Sequence, residues 1–555
     1  MRLAGSNRLV WWMLGAYAIL VATGMMVRPL LPVDETRYAT VAWEMWSRGE
    51  WIVPQLNGVW YDHKPPVLFW LIHAGWALFG VSEAWLRLIG PLVAVLDLWL
   101  LLRLAARLWP ERPAVPLVAG SLFLGSWYVA LYSTGLMFDL LLLAWILGAW
   151  IALWDARAWG RWSSVVLLGV CIGGGLLTKG PVTLLYVLPV AFAATFWSPV
   201  AQPWPGRQWH PRVFLAIGIG TLVASAWLLA GYVQVGQEFL DHVLWKQTAG
   251  RVAGDFGHGR PWWWYVPHLP LLLLPWIAWP PLWRAARGWR DLRLEPGARF
   301  CLIVLVATLV GLGAIAGKQV HYLIPAIASI ALIAARLLAD VRELRRALDD
   351  VGPALLMCAV PVLFLIVALD YTGASLPPWV KSISSLMVVA ASVVAVALIV
   401  RKVHTAVGAT AGMTVASLVF ASVLLAGLMT AMRPYYDLVD AGRYVGAQQM
   451  SGRPIAFLGG RYQGEYGWFG RLQEPIRVLD AGTLQAWLVR HPDGLVISRE
   501  KRLAPDAAPV LEFRQPYKTD ALLMARSSEL LGARTALEAG GVTSSPAPSP
   551  PSALR

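Results

Sequence analysis

Cysteine is scarce: Cys171, Cys301 and Cys358 are the three in 555 residues, each inside an apolar run and none in C-x-x-C spacing. That excludes a disulfide framework and a zinc ribbon. Charge is scarce as well, at 14% of residues against roughly 25% in an ordinary soluble domain. There is no G-x-x-x-x-G-K-[ST] phosphate loop, no H-E-x-x-H pair, and no D-x-D of the kind that holds a metal–nucleotide sugar. Nothing in the chain is therefore built to handle a nucleotide. No internal repeat is evident.

What is abundant is apolar. Hydrophobic residues make up 58% of the chain, and the mean hydropathy is +0.58. Together with the low charge, this excludes a soluble globular enzyme and a disordered protein. The 32 Trp and 38 Pro agree, because interfacial Trp and interrupted helices are habits of membrane proteins. A net charge of +14 would suit nucleic acid, but the positions of the basic residues are topological instead.

Apolar runs suited to the roughly 30 Å hydrocarbon core lie near 9–27, 85–108, 114–131, 136–154, 163–179, 181–197, 212–233, 263–283, 300–317, 321–339, 353–371, 383–400 and 407–431. The first has no small-residue cleavage site before Arg28-Pro29 and is expected to stay as a helix. The run from Pro65 to Gly80 is short and follows a polar loop, so it is expected to lie at the interface. With the N-terminus in the cytoplasm, every inner loop is basic, as in Arg103-Arg107-Arg112 and Arg284-Arg287-Arg290-Arg293. A spanning 65–80 segment would invert every later loop and break that rule. The reading is about thirteen spans over 1–432, with the segment after 433 outside. Strand-like runs at 455–458, 476–479 and 495–498 alternate with helical patterns at 437–449 and 482–490, giving a small α/β domain over 433–535. The Pro/Ser-rich tail 536–555 is expected to be disordered.

The first outer loop, 28–84, carries the most information. Asp34-Glu35-Thr36-Arg37-Tyr38 opens a helix with a polar stripe of Arg37, Thr40, Glu44 and Arg48, the pattern of a helix lying in the membrane surface. The macrodipole alone would explain an acidic pair at a helix start. A second polar cluster, Tyr61-Asp62-His63-Lys64-Pro65-Pro66, opens the next interfacial helix and favours a site. Lys179 and Lys318 stand at outer ends of spans, and Arg251 and Arg260 in the long outer loop 234–262. Snorkelling explains any one such cation. For Arg37, Lys64, Lys179, Arg251 and Lys318 together, a shared lipid phosphate or pyrophosphate is the better account. Asp139, near the outer start of a span, either pairs with a cation of the site or binds substrate. Outer-facing His63, His242, His258 and His268 form no metal motif; His63 and His258 are the candidates should a metal bind, and no cofactor is required.

These residues resemble the GT-C glycosyltransferases, the relatives of protein O-mannosyltransferases that use polyprenyl-phosphate sugars. More narrowly, Asp34-Glu35-Thr36-Arg37-Tyr38-Ala39, Trp51-Ile52-Val53-Pro54, Lys64-Pro65, Thr178-Lys179-Gly180 and Lys318-x-x-x-Tyr322-x-x-Pro325 are similar to the lipid A 4-amino-4-deoxy-L-arabinose transferases. Asp62-His63-Lys64-Pro65-Pro66 mixes a His-Pro-Pro flavour of mannosyltransferases with a Lys-Pro flavour of aminoarabinose transferases, so it fits either sugar. The resemblance implies undecaprenyl-phosphate aminoarabinose as donor and the phosphates of lipid A as acceptor, at the periplasmic face of a bacterial inner membrane. It implies Asp34 as the central carboxylate, with Arg37, Tyr38, Tyr61, Lys64 and Tyr322 around the lipid phosphate. Glu35 and Asp139 join Asp34 as catalytic candidates, and the chain is expected to act as a monomer. Two other readings compete: a transferase of the same fold for another sugar or acceptor, and a lipid-linked sugar transporter. A transporter predicts polar residues near the midplane and matching halves, whereas these charges gather at one face.

Overall fold

In hydrocarbon every backbone N–H and C=O must be satisfied within the protein, so long apolar runs become helices. The computed structural model describes residues 2–198 (backbone alone for 2–7), 204–243, 260–341, 348–369, 377–401, 405–502 and 509–532. Among them, nine helices are long and apolar enough to cross a membrane. The chain divides into two units: Met1–Gln55 with Val59–Arg433, and Leu56–Gly58 with Pro434–Arg555.

The first unit begins with α1 (Arg2–Val27), α2 (Asp34–Ser47), α3 (Val67–Phe79) and α4 (Glu83–Leu108). It continues through α5 (Val115–Leu124), α6 (Trp127–Tyr132), α7 (Phe138–Trp159), α8 (Trp162–Lys179) and α9 (Val182–Phe192). With 13 residues, α3 is about 20 Å long, too short for a hydrocarbon core. It is tied to α2 by His73, whose Nε2 lies 2.8 Å from the Ala42 carbonyl oxygen. Helix α7 is buried along most of its length and forms the centre of the bundle. Against it packs α8, which in turn meets the helix Gly206–Val235 at very close range. A Cβ on Gly169 would sit 2.6 Å from Ile219 Cβ, and one on Gly173 would sit 2.6 Å from Val223 Cβ. This is the small-xxx-small contact that lets membrane helices approach without a hydrophobic driving force.

Two expected spans are broken. The run 114–131 divides into α5 and α6 at Gly125, where a Cβ would lie 2.7 Å from Thr414 Oγ1 and Trp276 Cζ2. The run 263–283, expected as one helix, is a series of short turns: Trp262–His268, Leu269–Leu272, Trp276–Ala278 and Pro280–Ala285. Pro267, Pro270, Pro275, Pro280 and Pro281 remove N–H donors along it. Its freed carbonyls are taken up by α6: Ser126 Oγ donates to Leu272 O at 2.7 Å, and Trp127 N to Leu274 O at 2.9 Å. The expected spans 181–197 and 383–400 appear as the shorter apolar helices α9 and Leu386–Val400.

Residues Gln55–Leu56 (β1) and Val59–Trp60 (β2) form a small hairpin whose turn, Asn57-Gly58, has positive φ at both positions. That conformation suits Asn-Gly in the mirror-image turn that joins twisted strands. The second unit holds β3 (Ile455–Leu458), β4 (Arg477–Leu479), β5 (Leu495–Arg499), β6 (Leu511–Tyr517) and β7 (Asp520–Arg526) in the order β4-β3-β5-β7-β6. The strand β3 runs parallel to β4 and β5, while β7 is antiparallel to β5 and β6. The helices Val439–Met450 and Ala481–Arg490 realise the helical patterns read from the sequence. Asp480 caps the second, accepting from Thr483 N at 2.8 Å. The sequence reading missed β6 and β7. The tail 536–555 lies outside the described residues.

Candidate active site

Asp34 and Glu35 occupy the first turn of α2, where unpaired N–H groups favour acids. Neighbouring side chains on a helix point about 100° apart, and the two acids meet different surroundings. The Asp34 side chain is 53% exposed. One turn on, the Arg37 guanidinium pairs with Asp34 Oδ1, and the Tyr38 hydroxyl donates to the same oxygen at 3.4 Å. Burial, followed by the charge of Asp34, pushes the Tyr38 phenol well above its usual range, so it remains a protonated donor.

Asp139 stands in the first turn of α7 and Lys179 at the last residue of α8. Their side chains, 6% and 7% exposed, form a buried ion pair. The Lys179 ammonium also lies 4.2 Å from the centre of the Tyr322 ring. The second Asp139 oxygen accepts from the Tyr132 hydroxyl at 2.6 Å and lies 3.8 Å from His321 Nε2. The His321 ring stacks on Tyr132, and Tyr186 Oη donates to the Tyr322 carbonyl at 2.9 Å.

Phe138 joins the two groups. Its ring meets Tyr38 edge-on at 5.0 Å and Phe69 at 5.8 Å, and the Lys64 ammonium lies 5.5 Å from its centre. Tyr61 packs on Phe69 at 6.2 Å. His321 is within electrostatic reach of Asp34, Lys64, Asp139 and Lys179. The fold thus gathers Asp34, Arg37, Tyr38, Tyr61, Lys64, Asp139, Lys179 and Tyr322 from five separate stretches of chain. Sequence reasoning missed Tyr132, Phe138 and His321. The signal available for Phe138 and His321 was that each adjoins a residue already singled out, Asp139 and Tyr322.

Other expected site residues stand elsewhere. Glu35, expected beside Asp34 as a catalytic acid, is 3% exposed and saturated by Arg28 and two backbone N–H groups. The helix turns its carboxylate onto those partners, although the residue also lines the cavity beside Asp34. Lys318, expected at the lipid phosphate, donates to the carbonyls of Ile315 and Arg260, the latter at 3.1 Å. It closes a helix end, and burial lowers the affinity of its amine for a proton. His63 Nε2 lies 4.0 Å from Asp62 Oδ1, and His242 Nδ1 lies 3.3 Å from Asp62 Oδ2. Among the described residues, no group of three or more His, Cys, Asp or Glu is arranged to hold a metal. Arg251 and His258 lie outside the described residues.

Beside Asp34 opens a cavity of about 430 Å³. Its polar lining includes Arg28, Asp34, Glu35, Tyr128 and Tyr132, and its apolar lining includes Leu425 and Met429 of the helix Ala406–Tyr436.

A helical bundle, short helices between its spans and a charged site at helix ends together define a multi-pass membrane protein of the GT-C fold. The same fold is found in the crystal structure of ArnT from Cupriavidus metallidurans bound to undecaprenyl phosphate. The TM-score is 0.75 at 17% identity, covering 94% of this chain and 99% of that one. The family model for dolichyl-phosphate-mannose-protein mannosyltransferase matches residues 63–229. By sequence, the chain is 30% identical over 338 residues to the undecaprenyl phosphate-alpha-4-amino-4-deoxy-L-arabinose arabinosyl transferase of Enterobacter sp. (strain 638). It is also 30% identical over 357 residues to the enzyme of that name from Pseudomonas paraeruginosa (strain DSM 24068 / PA7). The matches span 59% and 61% of the length of these curated relatives. In sequence and in fold the chain is similar to the aminoarabinose transferases, which bears out the resemblance carried by its motifs.

Proposed function

We propose that the chain transfers 4-amino-4-deoxy-L-arabinose from undecaprenyl phosphate to a phosphate of lipid A. The observation that carries this reading is the cluster of Arg37, Lys64 and Lys179 around Asp34 and Asp139, three cations against two carboxylates at the ends of apolar helices. A polyprenyl phosphate leaves as a phosphomonoester, whose negative charge grows as the sugar–oxygen bond breaks. Fixed cations take up that charge and lower the barrier. The acceptor phosphate is already anionic at neutral pH, so Asp34 is not needed as a strong base. Its position beside Arg37, at the rim of the cavity, suits orienting the acceptor or the cations. Tyr38 and Tyr132 each present a hydroxyl donor to one of the two carboxylates, Asp34 and Asp139. The apolar wall of the cavity suits a hydrocarbon portion of a lipid substrate. The names of the relatives supply the sugar and the polyprenyl carrier.

The basic inner loops support an N-terminus in the cytoplasm and a second unit outside, and with them transfer at the periplasmic face of the inner membrane; we take the chain to act as a monomer. The decisive experiment incubates purified protein in detergent with undecaprenyl-phosphate aminoarabinose and lipid A, and reads lipid A by mass spectrometry. The expected result is lipid A carrying one added aminoarabinose, without nucleotide, ion gradient or sealed compartment. A second reading, transfer of a different sugar to a different acceptor, draws on the His63-Lys64-Pro65-Pro66 element and the mannosyltransferase model that begins at residue 63. Product from a polyprenyl-phosphate hexose alone would establish it. Activity confined to sealed vesicles would replace both with transport.

A further inference from the structure

Glu35 is adjacent to the central carboxylate yet turned away from it, and its carboxylate accepts four hydrogen bonds. Arg28 donates through Nη1 at 2.7 Å and Nη2 at 2.9 Å, in the bidentate fork that makes guanidinium–carboxylate pairs directional. Leu31 N donates at 2.8 Å and Leu136 N at 2.7 Å. Three stretches of chain are tied at one point: the residue after α1, the linker into α2, and the link from α6 to α7. Gly135 completes the arrangement. A Cβ there would sit 2.7 Å from Glu35 Oε1 and 3.2 Å from Arg28 Nη2, so a side chain at this position displaces the ion pair.

The consequence for the site follows from chain connectivity. Asp34 immediately precedes Glu35, and Asp139 opens α7 three residues after Leu136. A bond from Glu35 to Leu136 N therefore sets the first turn of α2 against the first turn of α7. The Lys179–Asp139 pair and Tyr132 belong to the second half of that couple. Arg28, Glu35 and Gly135 also line the cavity beside Asp34.

We propose that Arg28, Glu35, Gly135 and the Leu136 N–H form a positioning clamp that holds Asp34 in register with the Asp139–Lys179 pair. Glu35 and Arg28 are positioning residues: they act through Asp34 and Asp139 and do not themselves touch the reacting atoms. The clamp's effect on turnover rests on the transfer activity proposed above, whereas its effect on the backbone does not.

The test uses the purified full chain in detergent with Arg28→Ala, Glu35→Gln and Gly135→Ala. Each variant should lower kcat by about 10-fold to 100-fold, the scale of a misplacement of up to 1 Å in a reacting group. The donor KM should stay within about twofold of wild type, because uniform binding is untouched. Guanidinium ion at millimolar concentration should restore part of the kcat of Arg28→Ala, since the truncated side chain borders the open cavity; urea should not. Hydrogen exchange at the amides of 135–139 should rise in Glu35→Gln and Gly135→Ala. Wild-type kcat in all three variants would overturn the proposal. So would a raised KM at unchanged kcat, which would make the cluster a substrate contact. Loss of activity that tracks a lowered melting temperature and ignores guanidinium would reduce it to a fold support. If wild-type protein fails to transfer aminoarabinose, the functional reading fails, and unchanged amide exchange in the variants would separately sink the clamp.

Discussion

Removing Lys179 tests the site and its energetics together. At an effective dielectric of about 20, opposite charges about 4 Å apart attract by about 4 kcal/mol. Breaking one side of a buried pair typically costs about 3–5 kcal/mol, because the remaining charge is stranded. The Lys179–Asp139 pair meets the conditions for this estimate, with both side chains under a tenth exposed and one Asp139 oxygen already bonded to Tyr132. Lys179→Met should therefore destabilise the protein by about 3–5 kcal/mol, read as a lowered melting temperature in detergent. Asp139→Asn in the same background removes the stranded charge and should recover most of that loss. Turnover separates structure from chemistry. If Lys179 takes up charge on the leaving phosphate, the stable double variant should remain at least about 100-fold slow, about 2.7 kcal/mol of barrier. A Lys179→Met variant as stable as wild type would refute the buried-pair energetics. A double variant with restored turnover would remove Lys179 from the chemistry.

Asp34→Asn keeps the shape and the capping ability of the side chain, and Asp34 is half exposed. Turnover should fall by about 100-fold or more with little change in melting temperature, and an active variant would return Asp34 to a helix cap. Topology has its own check: a reporter active only in the periplasm should work when fused near residue 440 and stay silent near residue 290, and the reverse would overturn the orientation. In the second unit, Arg453 donates to Glu512 at 2.6 and 2.7 Å and holds its carboxyl down at about 2, below the ordinary 4.5. A depressed folded-state value contributes stability that is complete above about 4.5 and is lost as pH falls through about 2. Amide protection in 511–526 should weaken over that window, and Glu512→Gln should flatten the dependence.

How much was legible is clearest at single residues. Lys64, Lys179 and Arg37 stood out because cations placed against the basic-loop trend need a reason, and the fold brings all three near the two acids. Tyr132 and His321 did not stand out, since an aromatic or a histidine at a helix end reads as an interfacial belt until its partner is known. The run 263–283 looked like a span because hydropathy averages over the prolines that break it. Strands β6 and β7 were missed for an opposite reason. Charges and Pro516 mark β6, an edge strand, and Leu-Leu-Met-Ala in β7 favours helix in isolation, so their pairing with β5 decided the matter.

Composition and periodicity by themselves determined a multi-pass helical membrane protein with α3 too short to span, and a segment of strands and helices after residue 433. The helical bundle follows from the cost of exposed backbone in hydrocarbon, which depends on local sequence alone. Tertiary structure decided how two adjacent acids are partnered. Asp34 and Glu35 have the same charge and similar side chains, but about 100° of helix rotation separates a half-exposed acid paired with Arg37 from a buried one held by Arg28 and Leu136. One of the four hydrogen bonds that hold Glu35 comes from Leu136, about a hundred residues away in sequence, where no local pattern reaches.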